Sequence, residues 1–395
     1  MRILHLATSL NGGAGIAARR IAESQVNLGV NAEIWSINGG NRSLANFEKI
    51  VDSNNLSKFK SKLITYFQYN IIQNSEYLMT PISTQTLNLN DPQIESFDLI
   101  NLHASYNFVN LRALREKFRN KPIVVTMHDE RSFTGGCHYS LECSKFELSC
   151  VKCPQVRNAF NWLPAIILRN QIEGINNSSN LKFVSPSNWL AKLARSSTML
   201  NGKEISVIRN PVPSDFLHLL PTLPNESNRL NIAFVSENLQ NPYKGLDILI
   251  EALRMIPKDK KVNLKLIGNG AIRLELPNIK VEQKYCFSSK EVVSEIQKCD
   301  VLVVPSIQDN SPSVISESLM CGVSVIGAEV GGITEVLQEF GMPTFERGNS
   351  MELAKLIRNF VPGNNVSLAN KANKTFSYPI VAMQYRKLYE TMIGS

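Results

Sequence analysis

Between Asp300 and Leu337 the chain reads DVLVVPSIQDNSPSVISESLMCGVSVIGAEVGGITEVL, and no other stretch limits the fold as tightly. Val301–Pro305 and Val323–Ala328 are apolar runs of strand length, bounded by turn residues. The segment between them predicts an acidic loop and then a helix. Ser311 is the expected N-cap, Pro312 the first helical residue, where its missing N–H costs nothing, and Gly322 the left-handed close. Two strands apolar on both faces, joined by a helix, form a parallel βαβ unit, and such units bind ligands outside the carboxyl ends of their strands. Asp309, Glu317 and the Gly331-Gly332 pair stand at that rim. Two carboxylates eight positions apart suit a hydroxyl-rich ligand, and the glycine pair opens a helix whose N-terminus suits phosphate.

The same grammar recurs along the chain. Arg2–Thr8 is an apolar strand, Ser9–Gly15 a glycine loop that includes Gly12 and Gly13, and Ile16–Leu28 a helix. Gly13-x-Gly15-x-x-Ala18 matches a dinucleotide fingerprint, with Glu33 about twenty residues on. Glu33 falls early in the next strand, Ala32–Ile37, so a packing turn and a ligand-facing loop stay open beside that reading. Phe97–Ala104 and Pro122–Asp129 are further buried strands, ending in His103 and His128; His128, beside Asp129 and a glycine-rich segment, is the better functional candidate. A helix over Trp162–Asn176, a strand over Lys182–Pro186, a helix over Asn188–Ser197 and Ile205–Val212 complete the first half. Leu217–Asn228, rich in Pro, Asn and Ser, reads as a linker. The pattern then restarts with a strand over Asn231–Ser236, a helix over Gly245–Ile256, strands over Asn263–Gly268 and Ile279–Glu282, and a helix from Ser289. Ile380–Ile393 is one amphipathic helix. The expectation is α/β: two successive doubly wound domains, 1–212 and 213–375, and a terminal helical segment 376–395.

The remaining features narrow the partners. No run of about 20 apolar residues is present, and the N-terminus enters a strand and turn directly without a secretory pattern, which predicts a cytoplasmic protein. A net charge of +8 predicts an anionic partner. The basic residues lack the aromatic interleaving of a base-stacking surface, so nucleic acid is not expected. In Leu56–Ile72, Phe59, Leu63, Phe67 and Ile71 recur at helical spacing beside Lys58, Lys60 and Lys62, which fits either a core-facing helix or one resting on an anionic membrane surface. Seven cysteines is an odd count for a disulfide framework. Four of them, Cys137, Cys143, Cys150 and Cys153, fall within an insertion over 130–160 and end in C-x-x-C; a structural zinc site, reduced thiols, and disulfides or another metal are all open readings, and His138 is a further potential ligand.

Taken together, these motifs resemble retaining family-four glycosyltransferases of the GT-B fold, in which two Rossmann-like domains face a cleft. Asp309-x7-Glu317 stands where that family has its E-x7-E element, followed by the family-like Gly322 and Gly331-Gly332-Ile-Thr-Glu335-Val. Tyr243-Lys244-Gly245 resembles the lysine–glycine element, Asn210-Pro211-Val212 the turn into the second domain, and Gly12-Gly13 the first loop. The T-M-H-D element with the following T-G-G-C-H-Y and cysteines is similar to a subset building bacterial extracellular polysaccharide, of the colanic-acid transferase type. The resemblance implies a retaining hexosyltransferase, peripheral at the inner face of the cell membrane, that moves a sugar from a nucleotide-sugar donor to a lipid-linked saccharide acceptor. It implies that Glu317 binds the donor ribose. Asp309 and the backbone of Asn310, Ser311, Ser313 and Val314 would hold the sugar hydroxyls. Lys244, with N–H groups near Gly13 and Gly332, would neutralise the diphosphate; His128 would lie near the transferred sugar and Tyr285 near the base. No cofactor is required by this chemistry, and the terminal helix would cross back to the first domain. Two departures are visible. Asp309 is shorter than the usual Glu, and no arginine lies between Phe234 and Lys244, so the expected cation is replaced by Arg209, by Arg131, or by nothing. A sugar-nucleotide epimerase of the same architecture and a zinc-containing, non-catalytic binding protein are the alternative functions.

Overall fold

A computed structural model describes all residues except 40–43, 52–54, 74–77, 81, 177–179, 214–215, 217–228, 277–278, 364–365 and 395. The Leu217–Asn228 linker lies outside the described residues, as do the side chains of Lys58, Phe59 and Lys60. The chain divides into two compact units: Met1–Pro211 with Val381–Ser395, and Val212–Ile380.

In the first unit, β1 (Arg2–Ala7), β2 (Asn31–Ser36), β3 (Glu48–Ile50), β4 (Leu99–His103), β5 (Ile123–Thr126), β6 (Leu181–Ser185) and β7 (Ile205–Val207) form one sheet. Its order is β3-β2-β1-β4-β5-β6-β7, every pair parallel. In the second unit, β8 (Leu230–Asn238), β9 (Val262–Asn269), β10 (Ile279–Lys284), β11 (Val301–Val304), β12 (Ser324–Ala328) and β13 (Thr344–Phe345) are ordered β10-β9-β8-β11-β12-β13, again all parallel. Both are doubly wound, Rossmann-like sheets. Their order reverses between β1 and β4 and between β8 and β11, and at such a reversal the flanking loops part and leave a crevice.

The strands are buried because crossover helices cover both faces of a parallel sheet. β4, β5, β11 and β12 are buried at every residue. The terminal helix Tyr378–Ile393 joins the first unit from Val381 onward. There Val381, Tyr385, Tyr389 and Met392 share a core with Ile3, Leu99 and Val124. Among the described residues no helix is long and apolar enough to cross a membrane.

Two local expectations shift. The first helix begins at Gly12, not Ile16, because Gly12 (φ 70°) turns the extended chain at Asn11 straight into helix. The helix carrying Glu317 runs Ser313–Met320, so Pro312 is its cap and Ser311 lies outside it. Pro312 has ψ 116°, an extended value, and its carbonyl accepts from the Ile315 N–H at 3.0 Å.

Candidate functional site

In the second unit, the loops after β8 and β11 meet at the reversal of strand order. Asn241 accepts a hydrogen bond from the Tyr243 N–H and opens a short 3-10 turn, Pro242–Lys244. Gly245 ends that turn at φ 68°, where a Cβ would lie 2.0 Å from the Pro305 carbonyl oxygen, so only glycine lets the two loops approach this closely. The Ile307 N–H donates to the Tyr243 carbonyl at 2.9 Å and ties the loops a second time. This construction brings Lys244 Nζ to 2.6 Å from Asp309 Oδ2, a charge-assisted hydrogen bond with the carboxylate mostly shielded from water.

Asp309 is also held by its backbone. Gly331 (φ 53°) leads the helix Gly331–Phe340 past it so closely that a Cβ would meet the Asp309 carbonyl oxygen at 2.0 Å, and the Gly332 N–H donates to that oxygen at 3.2 Å. The Gly332 N–H, expected at a phosphate, is therefore taken by Asp309. Likewise the Asp309 carboxylate, expected at sugar hydroxyls, is on Lys244. Asn310, Ser311, Ser313 and Val314 follow along the loop and first helical turn, and Glu317 is buried on the same helix. Tyr285 follows β10 at the sheet edge, two strands from β8. Its ring is 46% exposed and stacks edge-on at 4.6 Å against Phe287, which is 84% exposed. Phe287 was not singled out from the sequence; an aromatic two residues after Tyr285 in a polar loop was the available signal.

The first unit presents a different surface chemistry. A Cβ on Gly13 would meet nothing within 4 Å, whereas one on Gly15 would lie 2.5 Å from the Ser9 carbonyl oxygen. Gly15 is thus the packing glycine, and Gly13 faces open space. His103 and His128 end β4 and follow β5, and they join directly: His103 Nδ1 lies 3.1 Å from His128 Nε2. Burial lowers the His128 pKa to about 4 against the pull of Asp129, so its ring is neutral at neutral pH. Asp129 accepts from His138 Nδ1 at 2.6 Å and from Tyr106 Oη at 3.2 Å. Burial would raise its pKa, but His138 and the Arg131 N–H hold it below the usual carboxylate value.

Arg131 does not serve as a replacement phosphate cation. Its guanidinium is buried, bonded to the Thr80 carbonyl, Gln171 and Ser83, and lies over the Tyr106 ring at 4.7 Å. The sequence could not show that burial, because its partners lie about fifty residues upstream and forty downstream. Arg209 sits two residues beyond β7, near the end of the first unit.

Cys137, Cys143, Cys150 and Cys153 line one small cavity, with Met79, Phe146 and Pro164. Burial pushes the thiols of Cys137, Cys150 and Cys153 up, Cys150 to about 12. Backbone donors at Gly135 and at Gln155 and Val156 serve the sulfurs of Cys150 and Cys153. Among the described residues, however, no three His, Cys, Asp or Glu side chains are placed to hold a metal ion. The spacing gathers the thiols without completing the tetrahedron read from it. His138, the further ligand considered, is bonded instead to Asp129 and Thr80.

Residues 224–375 match the family model described as glycosyl transferases group 1. This stretch, less than half of the chain, is similar to a group 1 glycosyl transferase domain. Among its relatives, an uncharacterized glycosyltransferase of Methanocaldococcus jannaschii, MJ1178, is 28% identical over 286 residues, covering 67% of this chain and 75% of that protein. The putative colanic acid biosynthesis glycosyl transferase WcaC of Escherichia coli is 25% identical over 278 residues, 65% of this chain and 66% of its own length. Among solved structures, Anabaena Alr3699/HepE in complex with UDP-glucose superposes with a TM-score of 0.64 at 17% identity, covering 99% of this chain and all of that one. The Rossmann-like pair of sheets is thus the GT-B type of glycosyltransferases, and its exopolysaccharide-type relatives include WcaC.

Proposed function

We propose that this protein is a retaining hexosyltransferase that moves a sugar from a nucleotide-sugar donor to a lipid-linked saccharide in bacterial surface polysaccharide synthesis. The observation that carries the reading is the Lys244–Asp309 pair at the strand reversal of the second unit, locked against the N-terminus of the Gly331 helix. Cleaving a glycosyl–phosphate bond leaves negative charge on the diphosphate. An ammonium and a helix N-terminus near that charge stabilise it more in the transition state than in the ground state. On this reading the diphosphate draws Lys244 from Asp309, and the released carboxylate serves the sugar hydroxyls. Glu317 takes the ribose, the exposed Tyr285–Phe287 pair flanks the base, and His128 works at the transferred sugar.

For the acceptor side, the helix Asn55–Ile71 supports a membrane-surface position: Leu63 and Tyr66 are 60% and 70% exposed beside an exposed Lys62, and apolar side chains on a basic helix favour an anionic lipid interface. Phe67 packs edge-on against Phe160, and Ile71 is buried, so only part of that face is outward. The protein is then cytoplasmic and peripheral, and transfer requires no cofactor. Zinc at the cysteine pocket belongs to the proposal only as a structural staple, and it requires the four sulfurs to close in from where they stand. Metal analysis tests it: stoichiometric zinc supports the staple, and its absence removes it.

A thermal-shift panel of nucleotide sugars tests the enzyme reading. A donor at 100 times its Kd stabilises by about 2.7 kcal/mol. A shift with a nucleotide sugar that Lys244→Ala and Glu317→Ala abolish supports the site, while a shift that survives both substitutions overturns the assignment. No shift with any donor overturns the function.

A further inference from the structure

Beside the apolar core that the first sheet shares with the terminal helix runs one line of polar side chains. His5 pairs in register with Asn101, and Ala7 with His103, so His5, Asn101 and His103 project to the same face. Tyr389, on the terminal helix, accepts from Asn101 Nδ2 at 2.7 Å and from Gln25 Nε2 at 3.2 Å. Gln25 Oε1 lies 3.0 Å from His5 Nε2, His5 Nδ1 2.9 Å from His103 Nε2, and His103 Nδ1 3.1 Å from His128 Nε2. The first two rings stack with centroids 5.2 Å apart, and the second pair is tilted at 5.4 Å. Thr126 closes the support by donating to Asn101 Oδ1 at 2.9 Å and lying 3.4 Å from Tyr385 Oη. His5, Asn101, His103, Tyr385 and Tyr389 are fully buried.

A row of polar groups inside a sheet face is tolerated only when each has a partner, and apolar side chains of similar size would fill the space without that demand. Its end point gives the row a purpose, because His128 alone of the three histidines leaves the core, at the carboxyl end of β5. Neutral imidazole has one N–H and one lone pair, so each link dictates the next. With the Gln25 oxygen toward His5, His5 holds its proton on Nε2 and accepts at Nδ1. His103 then holds its proton on Nε2, and so does His128. Charge does not interrupt the row: burial lowers His5 and His128 to about 4, and burial with the neighbouring His5 and His128 holds His103 lower than its usual value. The titratable neighbours are Tyr385 and Tyr389 on the terminal helix, both kept neutral by burial, and Asp129 beside His128.

We propose that Tyr389, Gln25, His5 and His103 are positioning residues that grip His128 by Nε2 and fix its tautomer, making the terminal helix a determinant of the site in the first unit. The grip stands on the hydrogen bonds; its importance for transfer rests on the reading that His128 works at the sugar.

Histidine-selective 15N NMR of the full chain at pH 6 tests it. In the wild type, His128 shows a single neutral, Nε2-protonated species. His103→Leu breaks the row and gives His128 mixed tautomers, whereas His103→Gln, whose amide bridges, restores most of the wild-type spectrum. Tyr389→Phe, which removes one oxygen and keeps the ring, frees the Gln25 amide to turn and adds an Nδ1-protonated population; it is the deciding variant if His103→Leu does not fold. A His128 spectrum unchanged in His103→Leu, or in Tyr389→Phe where that variant decides, overturns the proposal whatever the activity does. A changed spectrum with kcat reduced at least tenfold at unchanged donor KM supports both the grip and its role. A changed spectrum with unchanged kcat keeps the grip and removes His128 from transfer.

Discussion

The two units share a topology and solve opposite problems with it. At the β1/β4 reversal three neutral histidines are linked ring to ring, which fixes orientation. At the β8/β11 reversal the central feature is an ion pair, Lys244 with Asp309. Elsewhere in that unit Glu295 gathers Lys265, Lys284 and Lys298 at 2.5–2.6 Å. A doubly wound sheet does not prescribe what stands at its switch point, so function follows the site and not the fold. On the proposed reading one unit aims a ring, and the other answers charge.

The strongest way to break that contrast is to remove the charge. Lys244→Ala is expected to lower the transfer rate by about 10²–10³-fold, the usual loss of one oxyanion partner, in steady-state assays with the nucleotide sugar. A rate within threefold of wild type places the phosphate elsewhere. Next comes the backbone that holds Asp309. Gly331→Ala, forcing a Cβ onto the Asp309 carbonyl at positive φ, is expected to cost about 1–3 kcal/mol, read from the denaturant midpoint of the second unit.

Acid separates the units more gently. Unfolded, His5 titrates near 6.5 and folded near about 4, burial being the main cause. Between those values the unfolded chain binds more protons, so this stability is complete above 6.5 and declines as pH falls toward 4. The slope is at most about 1.4 kcal/mol per unit. Glu295 behaves differently: burial would raise it, but its three lysines bring it from 4.5 to about 2. Its contribution is complete above 4.5 and is lost only as pH falls toward 2. Melting curves between pH 7 and 3 should therefore weaken the first unit before the second, and simultaneous loss contradicts the contrast. The smallest effect expected is Gly13→Ala, within about 0.5 kcal/mol of wild type, because its Cβ enters open space at an ordinary backbone angle.

Much of this was legible in one dimension because buried parallel strands announce themselves as short apolar runs. Val301–Val304 and Ile123–Thr126 carry no competing pattern. Asp309, Lys244 and the glycines were visible as residues, yet their arrangement was not: Lys244 and Asp309 are 65 positions apart, and the Gly332 N–H is taken by a carbonyl no motif records. The buried row was less visible still. His5 sits mid-strand where an apolar residue is the norm, and Gln25 reaches Tyr389 across 364 positions. Helical periodicity counts such side chains as core or noise, since it registers polarity and not partnership.

Amide hydrogen exchange with and without a saturating nucleotide sugar addresses the central claim most directly. The account predicts slowed exchange at 239–245, 305–317 and 331–334, the loops and helix start around Lys244, Asp309 and Gly331. Protection confined to other parts of the second unit, with these segments unchanged, would contradict it.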